Sequence, residues 1–201
     1  MGRFIVFEGG EGSGKSTQAR ALDRRLSQQG LPVVLTHEPG GTALGAKLRH
    51  LVKWGSHVTP QTELLLILAA RSQLVKEVIR PALGRGSSVV CDRYTYSTLA
   101  YQGYGREMDV DLLTRLNDLV TEGLSPDLVV LLDADPVEGL QRKRGPVDRF
   151  ESEDLDFHRA VRDGYLRMAR EEPERWLVID ASLSRKEIEE QVWGRVSALL
   201  P

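Results

Sequence analysis

Phe4-Ile5-Val6-Phe7-Glu8-Gly9-Gly10-Glu11-Gly12-Ser13-Gly14-Lys15-Ser16-Thr17 runs from an apolar, strand-like segment through a glycine-rich turn into the start of a helical pattern. Its middle, from Gly9 to Ser16, fits G-x-x-x-x-G-K-[ST] without a gap, the P-loop pattern. Glycines let a backbone turn its N–H groups inward around phosphate oxygens, and the N-terminus of the following helix adds positive potential. In that pattern the Lys15 ammonium reaches the β- and γ-phosphates and the Ser16 hydroxyl ligates Mg²⁺. Gly9, Gly10, Glu11, Gly12, Ser13, Gly14, Lys15, Ser16 and Thr17 are therefore the expected cradle for a nucleoside triphosphate. The spacing G-x-G-x-x-G of dinucleotide sites is absent here, which disfavours a dinucleotide.

Outward from this stretch, short apolar runs alternate with longer periodic segments. A helix is expected from about residue 16 to 29, ended by Gly30 and Pro32, with Val33-Val34-Leu35 as the next strand. A long helix is expected from near Pro60 past Arg71 to about Arg80, where Pro81 and Gly84 stop it. Ser88-Val89-Val90-Cys91, Leu128 to Leu132 and Trp176 to Ile179 complete five strands. Each is apolar on successive residues, the pattern of strands covered on both faces. The reading is a doubly wound α/β fold with a five-stranded parallel sheet, in one domain over residues 1–201, with strand order left open.

Composition sets the bounds. Lys and Arg number 27 against 29 Asp and Glu, a net charge of −2, and hydrophobic residues make up 41%. Such a balance argues against a nucleic-acid or membrane coat, which needs surplus positive charge, and for a folded globular chain. The longest apolar run, residues 64–70, falls well short of the ~20 residues that span a bilayer. A strand-like segment begins almost at once, so no signal peptide is visible. Cys91 is alone and can form no intrachain disulfide, which suits a reducing compartment. Together these point to the cytoplasm.

The P-loop leaves the phosphate acceptor open. A GTPase would carry Asn-Lys-x-Asp, yet the single asparagine, Asn117, is followed by Asp118-Leu119. A protein kinase would carry a His-Arg-Asp loop, which is missing. His37, His50, His57 and His158 are scattered without metal spacing and read as surface or structural residues. Three features point instead to a small anionic acceptor. Cys91-Asp92-Arg93-Tyr94 ends the third strand, where open α/β sheets bind ligands, so Asp92 can hold Mg²⁺ and Arg93 can bind phosphate. Arg142-Lys143-Arg144-Gly145-Pro146-Val147-Asp148-Arg149 concentrates cations around a Gly-Pro loop, as a lid over a triphosphate would. Arg71 lies beside the apolar run of the long helix and needs a partner or a cavity.

Taken with Glu38-Pro39-Gly40-Gly41-Thr42 and Ala100-Tyr101-Gln102-Gly103, these motifs make the chain resemble the bacterial thymidylate kinases over essentially its whole length. The resemblance implies a P-loop nucleoside monophosphate kinase that transfers the ATP γ-phosphoryl group to dTMP with Mg²⁺, in a family whose members are commonly homodimers. It implies that Arg49 and Arg93 hold the dTMP phosphate and that Arg71 and Thr98 hydrogen-bond the thymine edge, with Ser97 and Gln102 close by. Tyr101 would pack where a ribose 2′-hydroxyl would sit, and Glu11, joined by Glu151 when a lid of about residues 141–152 closes, would lie near the 3′-hydroxyl. In one branch of the family a basic P-loop residue assists catalysis. Here Gly12 and Ser13 stand at that place, so Arg142, Arg144 and Arg149 would supply the charge. Four residues before Arg71 the family often carries a phenylalanine stacked on thymine, where this chain has Ile67. Aliphatic packing replaces the contact area but not the stacking term, on the order of 1 kcal/mol. The rival readings are a kinase for another nucleoside monophosphate and, more remotely, a P-loop switch with no small acceptor.

Overall fold

The computed structural model describes residues 2–142 and 145–200. Chain order is β1 (Phe4–Glu8), α1 (Lys15–Gln28), β2 (Val33–His37), α2 (Ala43–Trp54), α3 (Pro60–Leu74), α4 (Arg80–Gly84), β3 (Ser88–Asp92), α5 (Thr95–Thr98), α6 (Val110–Thr121), β4 (Leu128–Asp133), α7 (Pro136–Arg142), α8 (Leu155–Glu171), β5 (Trp176–Asp180) and α9 (Arg185–Ser197). All five strands pair in parallel, in the order β2-β3-β1-β4-β5. β1 is therefore central, with β3 on one side and β4 on the other. The chain reverses its winding there, and the crevice at such a switch point is where open α/β sheets place ligands.

The alternation of strand side chains explains the double winding. Ile5, Phe7, Val90, Leu128, Val130 and Leu132 pack under α1 and α9 against Leu22, Leu26, Ile188, Val192 and Val196. On the other face, Phe4, Val6, Val89 and Cys91 meet Leu74, Val75, Ile79 and Ala82, while Val129 and Leu131 meet α8 through Val161, Tyr165 and Met168. The central strands are covered on both faces, as their unbroken apolar runs predict. β2 and β5 are not: each exposes part of its length, since each is an edge with a neighbour on one side only. Cys91 is buried in this second layer, as a packing residue should be.

Pro81 does not stop the long helix. After α3 the chain winds through a π-helical segment, Val75–Ile79, and Pro81 falls in the first turn of α4. A proline at a helix start lacks only an N–H that has no helical partner there, and the π segment has already broken the i→i−4 ladder. A second π segment, Leu99–Gly105, follows α5 and carries Tyr101 and Gln102. Such segments are uncommon and gather at functional sites. Among the described residues no helix is long and apolar enough to cross a membrane.

Candidate active site

A crevice of about 600 Å³ runs along the strand ends from the glycine-rich turn to α3. Its first end is made largely of backbone. Gly14, in the left-handed region with φ 95°, sits directly before α1, whose free N–H groups point at the turn. Gly12 is also left-handed, with φ 66°, and a Cβ there would lie 1.8 Å from the Gly139 carbonyl oxygen of α7. Only glycine fits that approach. Lys15 Nζ donates to Gly10 O at 2.6 Å and to Ser13 Oγ at 3.2 Å. Burial, reinforced by the nearby Arg93 cation, pushes the Lys15 ammonium down to about 8. The Ser16 hydroxyl donates to Asp92 Oδ2 in a very short contact, which joins α1 to the end of β3.

Beyond Lys15 the crevice is built from side chains, and Glu8 organises them. It is fully buried at the end of β1. It accepts from Tyr94 N at 2.9 Å, Ser97 N at 3.2 Å, Ser97 Oγ at 2.6 Å and Tyr165 Oη at 2.8 Å. Burial raises its carboxyl and these donors pull it back. The result fixes the turn from β3 into α5, including Arg93, whose φ of 73° places a non-glycine residue in the left-handed region. Such strain is kept where the surroundings over-determine the backbone, and it marks functional positions. Arg93 donates to Gly9 O at 3.0 Å, to Glu11 Oε1 at 2.7 Å and to Tyr101 Oη at 3.0 Å. Tyr101 donates in turn to Glu11 at 2.8 Å; burial pushes its phenol well up, so that proton is kept. Arg93 thus lies at the junction of the two ends.

Arg71 closes the far end. It is 1% exposed, and its partners are Glu38 at 2.7 Å, Thr98 Oγ1 at 2.7 Å, Asn117 Oδ1 at 2.5 Å and Tyr94 O at 2.9 Å. The arginine has therefore found its cavity and its carboxylate on the same side of α3. Ile67, Ser97, Tyr101 and Gln102 share the walls with it, and Arg49 lines the crevice while donating to Pro39 O at 3.0 Å. Gln102 Oε1 is buried there without a partner. Among the described residues, no cluster of three or more His, Cys, Asp or Glu side chains could cage a metal. Ser16 and Asp92 nonetheless present two hard oxygens beside the phosphate cradle. That donor set suits Mg²⁺, which is held by one or two protein oxygens together with substrate phosphates.

The cationic segment departs from expectation. Arg149 does not line the crevice: its guanidinium donates to Val52 O at 2.9 Å, Val58 O at 3.1 Å and Glu63 Oε2 at 3.0 Å. Asp148 caps the turn at Phe150 and Glu151 and pairs with Lys53 at 2.5 Å, so this end of the segment is docked on α2 and α3. Arg142, exposed at the end of α7, donates to Ala181 O at 3.1 Å and pairs with Glu138. Lys143 and Arg144 lie outside the described residues. Glu151 accepts from Asp148 N at 3.4 Å and stands outside the crevice wall.

Several residues that line or support the wall were not foreseen. Glu8 and Glu38 end or follow strands and carry no motif of their own beyond the segments quoted for resemblance. Tyr165 arrives from α8 and Asn117 from α6, both far from the P-loop in sequence, and no local signal marks them. His37 lines the crevice, paired in register with Asp92; burial and Arg49 lower its imidazole below the usual range.

Comparison with known proteins places this geometry. The family model described as thymidylate kinase matches residues 7–192. The thymidylate kinase of Dehalococcoides mccartyi is 53% identical over 100% of this chain and 98% of its own length. That of Deinococcus radiodurans is 51% identical over 98% of this chain and 97% of its own. Among solved structures, the crystal structure of thymidylate kinase from Ehrlichia chaffeensis superposes with a TM-score of 0.80 at 35% identity, covering 99% of both chains.

Proposed function

The chain belongs to the thymidylate kinase family, and we propose that this crevice transfers the ATP γ-phosphoryl group to the phosphate of dTMP, giving dTDP and ADP. One observation carries the assignment of residues: a single cavity is walled at one end by Gly14, Lys15 and Ser16 and at the other by Ile67, Arg71 and Gln102. It can hold two phosphate-bearing ligands end to end, with Arg93 between them.

The acceptor is already an anionic phosphate oxygen, so no general base is needed. What opposes the reaction is repulsion between two polyanions, and catalysis consists of aligning them and neutralising charge. Lys15 and the N-terminus of α1 bind the transferring phosphoryl group, while Arg93 and Arg49 hold the dTMP phosphate. Ser16 and Asp92 would hold Mg²⁺, which would supply positive charge against the triphosphate. Arg142 is assigned to the donor side, because α7 packs directly on Gly12 of the cradle. Arg144 joins it on sequence alone. Arg149 is assigned to anchoring instead, given its contacts on α2, on α3 and on the loop between them.

At the base end, Arg71 and Thr98 face the O4 edge, and Gln102 Oε1 accepts from the thymine N3–H, which would satisfy a buried acceptor that otherwise has no donor. Tyr101 fills the place of a 2′-hydroxyl, and Glu11, already bonded to Tyr101, lies beside the 3′-hydroxyl. We assign both substrates to one domain, since the same sheet supports both ends of the crevice. The enzyme is further proposed to act in the cytoplasm as a homodimer through α2 and α3, where Leu44, Leu51 and Leu65 are 45%, 48% and 63% exposed.

A panel of nucleoside monophosphates in a coupled ADP-release assay tests the reading. ADP release should depend on dTMP and fall away with purine monophosphates. Preference for a purine, or hydrolysis of ATP that no monophosphate stimulates, would overturn it.

A further inference from the structure

Glu63 takes no part in the reaction described above, yet it is completely buried in the first turn of α3. Two guanidinium groups hold it. Arg106 Nε and Nη2 reach its two oxygens at 3.3 and 3.2 Å, and Arg149 Nη2 reaches Oε2 at 3.0 Å. With guanidinium donors on both of its oxygens, the Glu63 carboxylate serves only as an acceptor. Its remaining partner is Gln102, whose Nε2 donates to Glu63 Oε1 at 2.9 Å.

This contact removes a choice that a glutamine otherwise has. An amide can turn either its carbonyl or its NH₂ toward a ligand, and the two faces are nearly isosteric. With Nε2 committed to Glu63, Oε1 is the atom left over, and it is the one that is buried and unpartnered in the crevice wall. A pyrimidine meeting that oxygen must offer a hydrogen. Thymine and uracil do so at N3–H, whereas cytosine has an acceptor at N3. Placing two acceptors face to face leaves both unpaired and desolvated, which is how a polar site rejects a near-isostere.

We propose that Glu63 is a positioning residue that sets base specificity: by pinning the Gln102 amide it commits the crevice to imide bases and against cytosine. The inference rests on the reading of the crevice as the dTMP site and adds to it a residue that touches no substrate. It also separates two selections, because N3–H excludes cytosine but leaves the choice of thymine over uracil to the wall around the 5-methyl group.

The test is steady-state kinetics of the wild type, E63Q, Q102L and the double variant with dTMP and dCMP at saturating ATP. The quantity read is the ratio of kcat/KM for dTMP to that for dCMP. Loosening Arg106 and Arg149 would slow both substrates alike and cancel in the ratio. A glutamine at position 63 can donate to Gln102 Oε1 and release the amide to turn over, so E63Q should lower the ratio by about tenfold or more, chiefly through KM for dTMP. Q102L should lower it similarly, and E63Q should change nothing further in the Q102L background. An E63Q ratio within about twofold of wild type, while Q102L collapses it, overturns the role of Glu63 alone. An E63Q effect that persists in the Q102L background does the same, since Glu63 would then act by another route. A wild type without preference for dTMP over dCMP, or a Q102L variant that keeps it, sinks the reading of the crevice and this inference with it. Should E63Q fail to fold, the wild type suffices: the Gln102 NH₂ protons, assigned by their loss in Q102L, should exchange slowly with and without dTMP. Rapid exchange in the absence of dTMP would overturn the pinning.

Discussion

The proposed phosphate cradle takes its geometry from adjacent residues, 9–17, and mostly from their backbone, whereas the proposed acceptor end gathers side chains from β1, α3, β3, α6, α8 and the π segment Leu99–Gly105. In the cradle the demands are conformational: left-handed glycines at 12 and 14, and a helix N-terminus placed right after them. At the acceptor end the demands are electrostatic. Buried charges there survive only because each finds a partner of opposite sign or a set of donors, as Arg71 does with Glu38 and Glu8 with Tyr94, Ser97 and Tyr165. A local device can fail in function while the fold stands. A distributed one ties function to stability, because the same contacts that aim the substrate groups also hold the elements together.

The largest expected effect falls on the cradle. Lys15→Ala should lower kcat by ~100-fold or more, in line with losing one preorganised stabiliser of transition-state charge. Its melting temperature should stay near that of the wild type, because a buried cation that already loses affinity for its proton contributes little to the fold. A variant keeping more than about a tenth of the wild-type rate would remove Lys15 from its assigned role.

The same contrast governs what could be read in advance. The glycine-rich turn, the helix after it and the five strands are local patterns, and they are found where they were expected, apart from element ends. Strand order was not legible, since it depends on which runs pair across long separations. The edge exposure of β2 and β5 follows from that order and stayed hidden with it. Arg71 could be flagged because a charge beside Leu64, Ile67 and Leu68 needs an explanation, yet nothing nearby says that Asn117 is part of that explanation. Asn117 served in the sequence only to exclude a guanine-reading motif. Arg149 shows the reverse failure. A cation within a cationic loop looks functional by its company, and only the fold reveals that Glu63 and two carbonyl groups have claimed it.

Glu8→Ala should produce the next largest effect and one of a different kind. Removing that carboxylate strands two backbone N–H groups and two hydroxyls in a buried site, a loss of about 3 kcal/mol or more. Thermal unfolding should begin several degrees lower, and kcat/KM for dTMP should fall by about tenfold as the left-handed Arg93 relaxes. ATP affinity should change far less. Equal losses of ATP and dTMP affinity, or a loss of activity without a loss of stability as in Lys15→Ala, would show that the two ends are not built in the different ways described.

The smallest effect separates the ends by their titration. Lys15 has its ammonium lowered to about 8, while the cations at the other end are guanidinium groups, a type of side chain that does not lose its proton in the working range. A triphosphate favours the protonated lysine and so raises its pKa on binding. Below pH 7 the proton is already present and ATP affinity should be flat. As pH rises through 8 the free enzyme loses the proton that the complex keeps. Binding must then take it up, and the Kd for ATP should climb toward tenfold per pH unit. Calorimetry in buffers of different ionisation heat should record an uptake of about 0.1 proton at pH 7 and about 0.9 at pH 9. Lys15→Arg, which does not titrate, should abolish the slope, and dTMP affinity should show no such rise between pH 8 and 9.5. A flat ATP affinity over that interval, or the same slope in Lys15→Arg, would place the titrating group elsewhere. A matching rise for dTMP would mean that the acceptor end also depends on a neutralisable cation, and that its charges are less firmly held than their pairing implies.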